Sequence, residues 1–260
     1  MTKKATWLIL LLILLGSLVH SQNQPPERRK NTILAIGAHA GDMEITCGAL
    51  LAKQARLGDR VVILHLTLGE GGNPRMTAED YGRQKRKEAE AAAAALGAEV
   101  IFGKYRDGEL PSNAEAIRYV VDTIRQVQPS YIITHWKDGL HRDHIVANQL
   151  TREALLLASL PSFPSQHPAH RGVRRVLYTE NWEDKDGFTP YTYFDIADSL
   201  DAWEKSVKEY ELFRGGISSF PYLNYYRSLS VVRGAESGFA HAIAFDVDSW
   251  GKKQTLKQLP

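Results

Sequence analysis

The chain predicts an α/β protein with a mainly parallel sheet and helices on both faces. Two observations carry this expectation. Short apolar runs alternate with longer amphipathic stretches, and the connections between the runs are too long for hairpins. The runs are also continuous in apolar character, which is the pattern of strands covered on both sides.

The first 21 residues are set apart from the fold. Lys3 and Lys4 precede an apolar run from Trp7 to Leu15, and Gly16, Ser17 and Ser21 follow, the layout of a secretory signal peptide. Trp7 to Val19 is about 13 residues, whereas spanning a bilayer takes roughly 20. No stable membrane span is therefore expected once the signal is removed, and an exported location, periplasmic or secreted, is. Residues 22–31 are polar, contain Pro25 and Pro26 and carry no apolar period, so they read as a flexible leader. Residues 32–260 are expected to form one domain.

The domain starts with Thr32 to Ala38 as a buried strand, followed by a helix from about Glu44 to Leu57 that ends at Gly58. Val61 to Leu66 is the second strand. A Gly-rich loop (Gly69, Gly71, Gly72) leads to a charged, alanine-rich helix over Ala78 to Leu96, then to a short third strand, Glu99 to Phe102. Ala114 to Gln126 is helical, Ser130 to Thr134 is the fourth strand, and His144 to Ser159 is a further helix. A loop with Pro161, Pro164 and Pro168 precedes a strand at Val173 to Thr179. Asp198 to Phe213 reads as a helix with Asp198 or Ser199 as N-cap. Val231 to Phe245 holds an element whose type the pattern does not decide.

Charge excludes one partner class. The chain has 32 Lys and Arg against 30 Asp and Glu, and removing Lys3 and Lys4 balances the two, so no nucleic-acid partner is expected. The single cysteine, Cys47, cannot close an intrachain disulfide and reads as a buried, inert thiol. Oligomeric state leaves no mark in the sequence.

In an open α/β sheet ligands bind beyond the carboxyl ends of the strands. Two polar segments stand there: His39-Ala40-Gly41-Asp42 after the first strand, and His141-Arg142-Asp143-His144 after the fourth. Together they supply imidazoles and a carboxylate in the proportion of a catalytic zinc site, three protein ligands and one open position. The expected ligands are His39, Asp42 and His144. Such a metal lowers the pKa of bound water and polarises a carbonyl, as amide hydrolysis near neutral pH requires. His65, His167, His170 and His241 are read instead as hydrogen-bonding or surface residues. Gly69-Glu70-Gly71-Gly72 lacks the ending of a phosphate-binding loop and reads as a mobile rim of the site. Trp182, Trp203, Tyr222, Tyr225 and Tyr226 are core or sugar-stacking residues that sequence alone does not separate.

Ala38-His39-Ala40-Gly41-Asp42-Met43-Glu44 resembles the Ala-His-Pro-Asp-Asp-x-Glu signature of the PIG-L/LmbE-like N-deacetylases, and His141-Arg142-Asp143-His144 resembles that family's His-Pro-Asp-His. Thr67 to Gly72, Arg86 to Gly97 and Arg106 to Leu110 are similar to further family segments in the same order. The resemblance implies a Rossmann-like fold and zinc-dependent removal of an acetyl group from an N-acetylglucosamine-type amino sugar or related glycan. It places the zinc ligands on His39, Asp42 and His144. His141 takes the position of the imidazole that assists the oxyanion or leaving amine, and Asp143 that of the carboxylate orienting a histidine. The family's proton-accepting Asp falls on Gly41, which has no side chain. Glu44, Asp143 and Glu70 are the candidate substitutes, with Asp143 favoured. The alternative is a catalytically impaired member that acts as a metal-containing glycan-binding protein.

Overall fold

A computed structural model describes residues 30–253. The expected signal peptide and the leader up to residue 29 lie outside the described residues, as does the chain end from residue 254. The described residues from Asn31 onward belong to one unit.

Each early apolar run forms the strand expected of it. β1 (Thr32–Gly37), β2 (Arg60–His65), β3 (Glu99–Phe102), β4 (Tyr131–His135) and β5 (Arg175–Thr179) pair in parallel, in the order β3-β2-β1-β4-β5. Between them run α1 (Asp42–Arg56), α2 (Ala78–Leu96), α3 (Ala114–Val127) and α4 (Arg142–Ala158). The strands bury both faces, so alternate residues of one strand serve different cores. Ile33 and Ala35 of β1 pack with α1 and α2, whereas Leu34 and Ile36 pack with α3 and α4. Side chains such as Leu34, Ile36, Ile63 and Leu64 are fully buried. Each contributes about 1.5–3 kcal/mol relative to exposure.

Local chemistry sets the helix ends. Thr77 Oγ1 accepts the Asp80 N–H at 3.1 Å to cap α2, and Asn113 Oδ1 accepts the Ala116 N–H at 3.0 Å to cap α3. Gly97, in the left-handed region, closes α2. The three-proline loop after α4 is held from beneath by Arg125 of α3. Its buried guanidinium donates to the carbonyls of Leu157, Ala158, Leu160 and Phe163 at 2.6–3.2 Å.

The C-terminal third departs from expectation. Two antiparallel strands, β6 (Thr192–Asp195) and β7 (Ala242–Asp246), extend the sheet in the order β5-β7-β6. The helix expected over Asp198 to Phe213 is shorter: α5 covers Leu200–Val207, and the chain then turns so that Tyr210 and Phe213 reach into the core behind α1. Its N-cap position is Ser199, without a side-chain cap bond. α6 (Tyr222–Ser237) precedes β7, so Val231 to Phe245 contains the end of one helix and nearly all of one strand. α7 (Ser249–Lys252) closes the described chain. No helix among the described residues is long and apolar enough to cross a membrane.

The site follows from this topology. β1 lies between β2 and β4, and successive connections leave to opposite sides of β1, which opens a crevice at its carboxyl end. Gly37 is level with His65, and Ile36 with Thr134, so the loops leaving β1 and β4 start at nearly the same height.

Candidate metal centre and its cavity

The loop after β1 is folded around the Asp42 carboxylate. Asp42 opens α1, and its Oδ2 accepts the His39 N–H at 2.7 Å. Gly41 makes the turn possible at φ 107°, in the left-handed region that favours glycine. The same Oδ2 stands 3.2 Å from His39 Nδ1 and 3.5 Å from His144 Nε2. His144 reaches it from the first turn of α4, so the two polar segments singled out by sequence do converge.

Two of the separations within the expected triad match those around a metal, although the groups whose ligand atoms all lie within 4.8 Å of one another join His144 with Asp42 and His135, or with His39 and His141. Ligand atoms held tetrahedrally about 2.0–2.2 Å from a zinc ion stand roughly 3.3–3.5 Å from one another, close to the Asp42–His39 and Asp42–His144 separations. His141 is also near: its ring lies 4.5 Å from that of His39 and 5.1 Å from that of His144. The ligand atoms of His39, His141 and His144 fall within 4.8 Å of one another. His135 Nε2 lies 3.2 Å from Asp42 Oδ2, but it accepts the Ala38 N–H at 2.9 Å, which occupies its lone pair. Its ring stacks under His144 at 4.1 Å and serves as a floor.

The electrostatics agree with a site shaped for a cation. Burial works against charge on both ligand imidazoles, yet the surrounding carboxylates prevail. Asp42, Asp107 and Asp143 hold His39 well above the ordinary imidazole range, and Asp42 with Asp184 pushes His144 up to about 9. Asp42 is likewise held well below the usual carboxylate range, against burial, by His39 and His144. A divalent cation at this point would satisfy the negative field that otherwise retains protons. His141 is lowered by burial and by the two neighbouring imidazoles.

Carboxylates also fix the rings. His39 Nε2 lies 3.1 Å from Asp107 Oδ1 and 3.7 Å from Asp143 Oδ2, and His144 Nδ1 lies 2.7 Å from Asp184 Oδ2. In each case one ring nitrogen faces an acid and the other faces Asp42. Gly69 lets the rim loop close on this arrangement, since a Cβ there would come within 3.3 Å of His39 Cβ.

These residues line a cavity of about 170 Å³ with Lys85, Asp107, Trp182, Glu183, Phe213 and Tyr222 among its walls. The aromatic residues left undecided by sequence now separate. Trp182, Tyr222 and Tyr226 line the cavity, and Trp182 stacks on Phe220 at 4.1 Å. Trp203 is a core residue whose indole donates to the Ile45 carbonyl, and Tyr225 packs on Phe220 and Tyr226.

The three proton acceptors proposed from the sequence, Asp143, Glu44 and Glu70, do not line the cavity. Asp143 is fully buried, and its oxygens accept the N–H groups of Gly108 at 2.8 Å and Leu110 at 3.3 Å. Its place is behind His39. Glu44 is fully buried too, accepting from Tyr210 Oη at 2.7 Å and facing His65 Nε2 at 3.2 Å. Glu70 accepts the Asp107 N–H. The carboxylates that line the cavity besides Asp42 are Asp107 and Glu183. Asp107 is engaged by His39 and by the Gly71 N–H at 3.0 Å, whereas the nearest recorded partner of Glu183 is His144 Nδ1 at 3.8 Å. Burial raises the Glu183 carboxyl.

Sequence reasoning missed Lys85, Asn181, Glu183 and Asp184. A signal for three of them was present: Glu180-Asn181-Trp182-Glu183-Asp184 follows β5 at the same sheet edge, and the strand-exit rule applied a third time would have flagged it. Asp107 lay within one of the quoted segments without a role. Of the other histidines, His170 is satisfied by Gln128 and Pro129, and His241 by Ser230.

The PIG-L family signature, described as GlcNAc-PI de-N-acetylase, matches residues 34–155. A 4-oxalmesaconate hydratase of Pseudomonas putida is 25% identical over 223 residues, 81% of this chain and 84% of the relative. A 1D-myo-inositol 2-acetamido-2-deoxy-alpha-D-glucopyranoside deacetylase of Thermobispora bispora is 32% identical over 177 residues, 56% of this chain and 58% of the relative. The chain thus spans a little over half the length of that deacetylase. Among solved structures, N,N'-diacetylchitobiose deacetylase from Pyrococcus horikoshii has the same fold, with a TM-score of 0.73 at 20% identity, covering 95% of this chain and 93% of that one.

Proposed function

Since the chain belongs to the PIG-L/LmbE-like N-deacetylase family, we propose that it is a zinc-dependent hydrolase that removes the acetyl group from an N-acetylglucosamine-type amino sugar or related glycan. The observation that carries this reading is the placing of one Asp42 oxygen within 3.5 Å of both His39 Nδ1 and His144 Nε2, at an aromatic-walled cavity. His39, Asp42 and His144 would hold the metal. When bound, zinc polarises the amide carbonyl and makes water acidic enough to attack near neutral pH.

The chain's own residues handle substrate and protons. Trp182 and Tyr222 offer flat apolar faces to a sugar ring. Glu183 takes a proton from the attacking water, because Asp107 is already engaged and Asp143 lies behind His39. His141 Nδ1 accepts the Asp143 N–H at 3.2 Å, which leaves its Nε2–H to donate a hydrogen bond to the developing oxyanion, and Glu183 hands the proton it took from water to the departing nitrogen. Water is consumed, and acetate and an amine are released. The signal-like start of the sequence supports an exported, envelope or environmental glycan as substrate.

A second reading has specific support. The hydratase relative is matched over 84% of its length, and Gly41 stands where the resemblance to the N-deacetylases places a proton-accepting Asp. In that reading the site adds water across a carbon–carbon double bond. The cavity's charge favours the first reading. Asp107 and Glu183 face it, and the one lysine or arginine in its lining, Lys85, donates to the Ala40 carbonyl, which is a poor match for the carboxylate substrate that the hydratase's name denotes.

One experiment separates these. The purified chain is assayed for metal content, for acetate release from a panel of N-acetylated amino sugars, and for hydration of unsaturated carboxylates. About one zinc per chain with acetate release, both lost in His144→Ala, supports the hydrolase. Hydration alone supports the second reading. A zinc-loaded chain active on neither set, yet retaining glycans, supports the impaired binding protein.

A further inference from the structure

Beneath the cavity, the segment that follows β5 does more than form a wall. Asp184 is fully buried, and each of its oxygens has a partner. Oδ2 faces His144 Nδ1 at 2.7 Å and accepts from Asn181 Nδ2 at 3.0 Å, while Oδ1 accepts the Leu140 N–H at 3.2 Å. The linkage continues outward. Tyr226 Oη, on α6, donates to Asn181 Oδ1 at 2.8 Å and accepts the Trp182 N–H at 3.2 Å. Gly139 leaves the carboxylate its room: a Cβ there would fall 1.9 Å from Asp184 Oδ1.

We propose that Asp184, held in place by Asn181 and Tyr226, is a positioning residue that fixes the orientation of the His144 ring and thereby sets how tightly the site holds its metal. The inference rests on the reading of His39, Asp42 and His144 as metal ligands and deepens it. The physical reason is directional. Asp184 Oδ2, at 2.7 Å, is the acceptor for a hydrogen on His144 Nδ1, while Asn181 Nδ2, 3.4 Å from the same nitrogen, donates to Asp184 Oδ2 at 3.0 Å. That leaves the Nε2 lone pair as the coordinating one, on the side of Asp42. Asn181 and Tyr226 keep Asp184 from rotating away. All three residues lie outside the segment 34–155 matched by the family signature, so the C-terminal third supplies part of the metal site's support.

The test reads metal affinity and a ring proton, not turnover. Zinc dissociation constants are measured by chelator competition for the wild-type chain, Asp184→Asn and Tyr226→Phe. The His144 Nδ1–H is followed by nitrogen-15 NMR in the zinc-loaded protein. Asp184→Asn is expected to weaken zinc by about 10–100-fold and to speed exchange of the Nδ1–H with solvent. Tyr226→Phe should move both readouts the same way by less. Wild-type affinity in both folded variants would overturn the proposal, and so would weakened zinc with an unchanged Nδ1–H, which would mean that Asp184 acts only on folding. If Asp184→Asn does not fold, Tyr226→Phe and the wild-type proton decide. A wild-type chain that binds no zinc at all overturns the underlying metal reading, a result distinct from either.

Discussion

The ring of Phe213 lies 3.0 Å from the point where a Cβ on Gly41 would stand, and Gly41 itself has a φ of 107°. The space into which an Asp at position 41 would project is thus filled by an aromatic side chain from the turn after α5, on a backbone that disfavours any side chain. Gly41→Asp is therefore expected to cause loss, not rescue. Overpacking of this kind costs about 1–3 kcal/mol, before the backbone strain is added. Urea unfolding should show the destabilisation, and acetate release should not rise. A gain in turnover with unchanged stability would indicate that Phe213 yields easily and that position 41 is an open vacancy.

Arg125 offers a stability test far from the chemistry. It sits near the end of α3, at the sheet edge opposite the candidate metal centre, and donates to five carbonyls at the end of α4 and in the loop beyond. Arg125→Met would leave these buried acceptors short of donors. Hydrogen bonds to charged groups contribute about 1.5–3 kcal/mol each, so a loss of several kcal/mol is expected in urea denaturation, with zinc affinity of the folded protein unchanged. A stability loss below about 1 kcal/mol would mean that water replaces the guanidinium.

The parallel half of the fold was legible because its signals are local and repeated. Continuous apolar runs mark β1, β2 and β4, and the expected ligands stand directly after strands. The C-terminal third was less legible for a physical reason. α6 buries Tyr226, Ser230 and Gly234, one tyrosine and two small residues at four-residue spacing, which leaves no broad apolar stripe to read. β6 is four half-buried residues at the sheet edge. The site divides the same way. His39, Asp42, His141 and His144 are close in sequence to a strand end, whereas the carboxylate that faces the His144 ring, Asp184, comes from 40 residues away. Asp143 illustrates the limit: spacing places it beside the ligands, but only the fold reveals that Gly108 and Leu110 hold its carboxylate away from the cavity.

Cys47 should be silent toward thiol reagents in the native state. It lies on the buried face of α1, donates to the Met43 carbonyl at 3.1 Å, and is held as the neutral thiol by burial and by the nearby Glu44 carboxylate, both of which push its pKa up. The thiolate is the reactive form. Incubation with iodoacetamide at pH 8 should leave the native protein unlabelled by mass spectrometry, while the same reagent in guanidinium chloride should label it fully. Rapid native labelling would show that α1 opens locally, and with it the first turn that carries Asp42.

Glu183 and Asp143 make opposite predictions, and comparing them tests the assignment of the proton acceptor. Glu183 lines the cavity and keeps part of its side chain exposed, so Glu183→Gln should preserve shape and zinc content while lowering kcat by about 10²–10⁴-fold. Asp143 is bound to two backbone N–H groups and faces His39 from behind. Asp143→Asn should therefore weaken zinc or stability, and any loss of turnover should be recovered in part by added zinc. Steady-state kinetics at several zinc concentrations, with metal content measured on the same samples, distinguishes the two patterns. If Glu183→Gln turns over like the wild type while Asp143→Asn is dead at saturating zinc, the proton passes through Asp143 after all, and the backbone bonds that hold it must break during the reaction.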